Sequence, residues 1–264
     1  MCLNQRLAQK VALITSSSSG ICASTAKQLA SEGAKVMICG RNGAKGMATV
    51  RHIRSQGGRA SFTLADTAIP ADAQAVIDET IATYGRLDIL FNNANSSHAQ
   101  DGAVLNVSEA AWDRVSEAVL KGTFFCCQYA LPFLQQSGSG TIINLIEQSH
   151  ESEMRSVNVI CQGGIVALTK ALAQQSRALT TTANLIWATQ HPADSPSMMS
   201  LLTPPLWSLP GAAESPTSVT TADAPYAPMN RLWPVEQRPV EQRPVEQRPV
   251  EQRQCLLFQR LLKR

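Results

Sequence analysis

The sequence predicts an α/β protein with a doubly wound parallel sheet, and three observations carry that expectation. Short apolar runs alternate with helix-forming stretches from Lys10 to about Gln190, the order of βαβ units rather than of hairpins. The runs are apolar at consecutive positions, as strands covered on both faces are. The polar stretches TSSSSG (15–20) and NNAN (92–95), and the segment after Ile146, all follow such runs. That places them on the sheet edge where ligands of such sheets bind.

VALIT (11–15) reads as the first strand, and CASTAKQLASEGA as a helix closed by Gly33 at its C-terminus. KVMICG (35–40) is a second strand, followed by a helix to about Gln56 and a Gly57-Gly58 turn. ASFTLAD (60–66) is a third strand. Ala73, Val76, Ile77, Thr80, Ile81 and Tyr84 then recur at the spacing of one helix face. LDILFNNA (87–94) is a fourth strand, and EAAWDRVSEAVLKGTFFCCQYALPFL a long helix. GTIINLI (140–146), QGGIVALTKALAQQ (162–175) and ANLIWAT (183–189) complete the pattern as strand, helix and strand.

Beyond Gln190 the periodicity fades. The expected organisation is one α/β domain over 1–190, an irregular Pro/Ser/Thr-rich segment over 191–233, four PVEQR repeats over 234–253, and a short helix over 254–264. Proline at every fifth position of the repeat forbids a regular helix and interrupts a strand ladder, so a solvated linker is expected there.

Composition narrows the classes of function. With 264 residues and 44% apolar content the chain can bury a full core. A net charge of +3, without basic clusters interleaved with aromatics, does not indicate nucleic acid. No apolar stretch reads as membrane-spanning and no signal-peptide core is visible, so a cytoplasmic protein is expected. The seven cysteines are scattered without a CxxC and read as reduced thiols, with Cys126-Cys127 half-buried and Cys161 a packing residue. His150 and its neighbouring glutamates lack the spacing of a metal site, and none is expected.

The strand ending at Thr15 with Gly20-Ile21, GRLDILFNNA, WDRV…LKGTFF, GTIIN and GGIVALTKALA together resemble the short-chain dehydrogenase/reductase family. The likeness runs from about Leu7 to Asn184 and implies a Rossmann-type fold that moves a hydride between a nicotinamide cofactor and an alcohol or carbonyl. It implies cofactor contacts at Thr15, Ser17, Ser19, Gly20, Ile21, Asp66, Asn92 and Ala94. Where NAD-dependent members carry an acid after the second strand, this chain has Gly40 and Arg41, which favours the 2′-phosphate of NADP over NAD. Ser16, Cys22 and Asn95 replace glycines of the pattern, so cofactor affinity is expected to be weakened or lost.

The family's proton relay is an asparagine, a serine, a tyrosine and a lysine. Aligned on GGIVALTK, the tyrosine slot holds Asn158 and the lysine slot Gln162, and the asparagine slot holds Val119. Ser149 is the nearby hydroxyl. Neutral Asn has no titratable O–H and Gln no charge to activate a phenol. The resemblance also implies a closing strand rich in valine and glycine. No counterpart is visible, so the edge beside the sixth strand is expected to be open. Three readings follow: a family member with impaired catalysis, an active NADP-dependent oxidoreductase with a rearranged proton donor, or a non-catalytic interaction protein. The helices of 104–135 and 162–178 resemble the family's dimer surface and suggest a homo-oligomer.

Overall fold

The computed structural model describes residues 5–15, 20–94, 103–148, 156–175, 181–189 and 219–221. The chain divides into two units, 1–224 and 225–264, and all described residues lie in the first. The PVEQR repeat and the expected C-terminal helix lie outside the described residues.

Seven parallel strands form one sheet in the order β3-β2-β1-β4-β5-β6-β7. They are β1 (Val11–Ile14), β2 (Lys35–Gly40), β3 (Arg59–Leu64), β4 (Ile89–Asn93), β5 (Gly140–Gln148), β6 (Thr181–Thr189) and β7 (Val219–Thr221). The strand order reverses between β1 and β4, which places a crevice at the C-terminal ends of those two strands. The β6 edge, expected to be open, carries β7. Its residues Val-Thr-Thr are β-branched and suit a pleated edge, but three positions are too few for an alternation signal.

Helices α1 (Gly20–Ser31) and α2 (Gly43–Ser55) cover one face of the sheet. Helices α3 (Pro70–Tyr84), α4 (Glu109–Ser116), α5 (Gly122–Gln136) and α6 (Ser156–Gln175) belong to the other. The unbroken apolar runs follow from this double cover. In β1, Ala12 and Ile14 join the core under α1 and α2, while Leu13 joins the core under α3 and α5. In β4, Ile89 and Phe91 alternate with Leu90 in the same way. Fully burying a side chain of this size contributes about 1.5–3 kcal/mol over leaving it exposed.

Helix ends are set locally. Asn42 caps α2 by accepting the Lys45 N–H at 3.0 Å, and Ser108 caps α4 by accepting the Ala111 N–H at 3.2 Å. Pro70 opens α3, and Gly85 closes it with φ +80°. Gly140 begins β5 so close beneath α5 that an added Cβ would lie 2.5 Å from the Leu134 carbonyl oxygen. Only glycine permits that approach.

Two expectations change. Cys126 and Cys127 are fully buried rather than half-buried, and burial pushes both thiols up, Cys127 to about 12. Helix α6 is long and apolar enough to cross a membrane, although the sequence offered no stretch that read as spanning. It is a core helix instead: Val157, Cys161 and Ile165 are buried against Val115, Val119, Ile146 and Leu185.

At the N-terminal end of the sheet, Asp88 ties β1 to β4. Its carboxylate accepts hydrogen bonds from Arg86 at 2.6 and 2.8 Å, Lys10 at 3.1 Å and the Val11 N–H at 3.0 Å. Burial alone would raise its pKa. The bonds from Arg86, Val11 and Lys10 outweigh burial and hold the carboxyl below the ordinary aspartate value.

Candidate functional site

Of the residues that the sequence nominated, Thr15, Asn92 and Ala94 meet at the crevice between β1 and β4. Thr15 leaves β1 buried, and its N–H donates to the Phe91 carbonyl at 2.9 Å. Its hydroxyl accepts the Asn93 N–H at 3.3 Å and donates to Asn92 Oδ1 at 3.4 Å. Ala94 is buried beside them and donates its N–H to the Leu145 carbonyl at 2.9 Å. Ile21 packs onto the core at the start of α1.

The nucleotide-facing features fit a phosphate-bearing ligand. Gly20 opens α1 at φ +62°, with nothing within 4 Å of where a Cβ would stand. The first turn of α1 carries no acid, so no side chain of that turn offsets the positive end of the helix dipole. Ser17 and Ser19, expected to lie between these points, fall outside the described residues, as do Asn95 and Ser149. At the neighbouring strand ends, Arg41 stands 65% exposed and 3.8 Å from the Asp66 carboxylate. Asp66 is itself held in a turn, its N–H donating to Asp72 and its Oδ1 accepting the Ala68 N–H. A surface pair of this length is weak, and the guanidinium can turn to a stronger anion.

The chemistry end is different. Val119, which the resemblance puts in the asparagine slot, is fully buried within an apolar cluster with Ala94, Ile146, Val157 and Cys161. It sits in a π-helical turn, Glu117–Lys121, that joins α4 to α5. Such widened turns are frequent at functional sites. The long helix expected over this region is therefore continuous but bulged where the slot falls. Asn158 and Gln162 lie one turn apart on α6, 1% and 5% exposed. Beside them an apolar groove of about 240 Å³ is lined by Val104, Val107, Trp112, Val157 and Ile160.

Sequence reasoning missed the polar chain that runs beneath this crevice. Asn92 Nδ2 donates to Asn144 Oδ1 at 3.0 Å, and Asn144 Nδ2 donates to the Thr169 hydroxyl at 2.9 Å. Thr169 in turn donates to the Ile165 carbonyl at 2.8 Å. With Thr15 the chain links β1, β4, β5 and α6 through buried groups. Asn92 also donates to Cys127 Sγ at 3.3 Å, which lowers that thiol's pKa against the larger effect of burial. At about 12 the thiol stays protonated at neutral pH and is no nucleophile. A polar Asn144 inside the apolar run GTIINLI was the available signal.

The strand order and the crevice define the class: a doubly wound dinucleotide-binding fold of Rossmann type. A sequence profile described as short chain dehydrogenase matches residues 10–188, and the chain belongs to the short-chain dehydrogenase/reductase family. It is 36% identical over 166 residues to an uncharacterised oxidoreductase of Thermotoga maritima, a match covering 62% of this chain and 64% of that one. It is 34% identical over 179 residues to a 3-oxoacyl-[acyl-carrier-protein] reductase of Staphylococcus aureus, covering 66% and 72%. The chain thus spans a little under two thirds of the first relative's length. A crystal structure of a short-chain dehydrogenase/reductase from Burkholderia xenovorans superposes with a TM-score of 0.67 at 27% identity, covering 71% of this chain and 77% of that one.

Proposed function

We propose that this chain keeps the nucleotide-binding half of a short-chain dehydrogenase/reductase and has lost the proton relay of the other half. One observation carries the reading: α6 buries Asn158 and Gln162 where the family resemblance calls for tyrosine and lysine. Neither side chain can deliver a proton at neutral pH or depress the pKa of one that does. When bound, a nicotinamide supplies the hydride; the protein's task would be to hold the carbonyl and protonate its oxygen. General acid–base catalysis contributes about 10²–10⁴-fold, so its loss cripples turnover, while a nucleotide bound more weakly for want of three glycines can still occupy the crevice.

Cofactor choice rests on Arg41. It is exposed at the end of β2 with no acid preceding it, which suits the 2′-phosphate of NADP. The nucleotide's pyrophosphate would lie at the α1 N-terminus beside Gly20, with Thr15, Asn92 and Ala94 forming the crevice floor. Trp112, Phe124, Val159 and Ile160 are exposed on α4, α5 and α6, which supports self-association through those helices.

Calorimetric titration of the full chain with NADPH and NADH tests this, alongside NADPH oxidation with a panel of aldehydes, ketones and quinones. The expected result is saturable NADPH binding without turnover above background. Turnover would establish an active enzyme with a rearranged donor. Absence of binding to either nucleotide would favour the interaction-protein reading. In the same titration Arg41→Ala should weaken NADPH about tenfold, the worth of one charge-assisted hydrogen bond, and leave NADH nearly unchanged. Equal losses for both nucleotides would place Arg41 away from the 2′-phosphate.

A further inference from the structure

Opposite the crevice, at the N-terminal ends of β2 and β3, the structure holds a groove of about 660 Å³ between the ends of α1 and α2. That volume matches ligand sites for molecules of nucleotide size. Its walls carry Lys27, Lys35, His52 and Arg59, and among the described residues no aspartate or glutamate lines it. None of the three Lys and Arg side chains has an ion-pair partner among the described residues. Glu32, which follows the C-terminus of α1, is held by Arg6 at 2.6 Å.

The charge is not an accident of one groove. Residues 16–65 contain seven Lys or Arg and a single acid, Glu32, whereas the whole chain is only +3. The positive charge is therefore concentrated in the α1–β2–α2–β3 quarter of the sheet. The C-terminal ends of α1 and α2 open at the groove and each presents about half a negative charge. Three full cations exceed that, so the groove remains positive and attracts anions. Gln9, the one non-glycine at positive φ (+66°) among the described residues, stands in the same wall. Held backbone of that kind costs about 1–2 kcal/mol and is concentrated at binding sites.

We propose that this groove is a second ligand site, distinct from the nucleotide crevice, for a small molecule bearing a polyphosphate group. Lys27, Lys35 and Arg59 bind the phosphates, and the glutamine side chains of the wall supply neutral hydrogen bonds. The two sites lie at opposite edges of one sheet, so both can be filled at once.

Calorimetry with inorganic tripolyphosphate on the full chain tests the proposal. A saturable site is expected that is weakened about tenfold or more in the Lys27→Ala/Lys35→Ala/Arg59→Ala variant and weakened again by raising salt from about 50 to 200 mM. All three side chains are on the surface, and unchanged thermal melting of the variant confirms its fold. Lys170→Ala, altered at an exposed position of α6 that does not line the groove, should bind tripolyphosphate as the parent does. The proposal is overturned by absence of saturable binding, by a triple variant that binds like the parent, or by loss confined to Arg41→Ala. It is also overturned if a 20-nucleotide single strand, on the order of the length a basic face grips, competes more strongly than tripolyphosphate and depends on the same three residues. That outcome would identify a nucleic-acid surface.

Discussion

Replacing Asp88 by alanine should cost about 2–4 kcal/mol, read as a lower urea midpoint at unchanged slope. Breaking a buried ion pair typically costs about 3–5 kcal/mol because a charge is left without compensation. Here the partners are Lys10 and Arg86, whose side chains remain about one third and two fifths exposed and can return to water. That trims the loss, while the Val11 N–H is left without its acceptor at the sheet's centre. Asp88→Asn keeps a carbonyl oxygen for Val11 and should lose roughly half as much. A variant as stable as the parent would show that β1 and β4 do not depend on this tie.

The pH dependence has a definite sign. Asp88 has its folded pKa lowered, so its contribution is fully present above the unfolded aspartate value of about 3.9 and fades as pH falls through the folded value. The stability gap between parent and Asp88→Asn should therefore be constant near neutrality and close in strong acid. A gap that closed on raising the pH would contradict the assignment.

The second large effect is expected at Asn144. Asn144→Leu keeps the branched shape of the side chain but removes both central links of the buried chain, to Asn92 and to Thr169. Asn92 retains Cys127 and Thr169 retains the Ile165 carbonyl, so neither is wholly stranded. A loss of about 2–4 kcal/mol follows from two buried hydrogen bonds and one donor left poorly served. Thr169→Val in the Asn144→Leu background should then cost less than Thr169→Val alone, by roughly 1 kcal/mol. Strict additivity in a denaturation cycle would mean the two side chains do not act on each other.

The two sites illustrate why part of this molecule was legible and part was not. Strands such as β2 and β5 announce themselves because both faces of a central parallel strand meet helices, which forces apolar residues at consecutive positions. The helix over 70–84 is equally plain, since its buried side chains Ala73, Val76, Ile77 and Thr80 follow one stripe. β7 was not legible: three residues inside a Pro/Ser/Thr-rich stretch carry no period. Neither Asp88 nor Asn144 could be interpreted alone, because a buried polar residue has meaning only with its partners. Those partners stand as far as 78 residues away for Asp88 and 52 for Asn144.

The amino-acid order by itself determined the alternation of strands and helices, the edge on which the polar turns fall, and the absence of any tyrosine followed four residues later by lysine. Those are local properties: spacing, residue type and the conformations each residue permits. Only the tertiary structure decided that Val119 and Asn158 are buried, that Arg41 meets Asp66, and that the cations of one quarter of the chain surround a groove. Burial and electrostatic fields depend on which distant segments are brought together, and a linear pattern does not contain that distance.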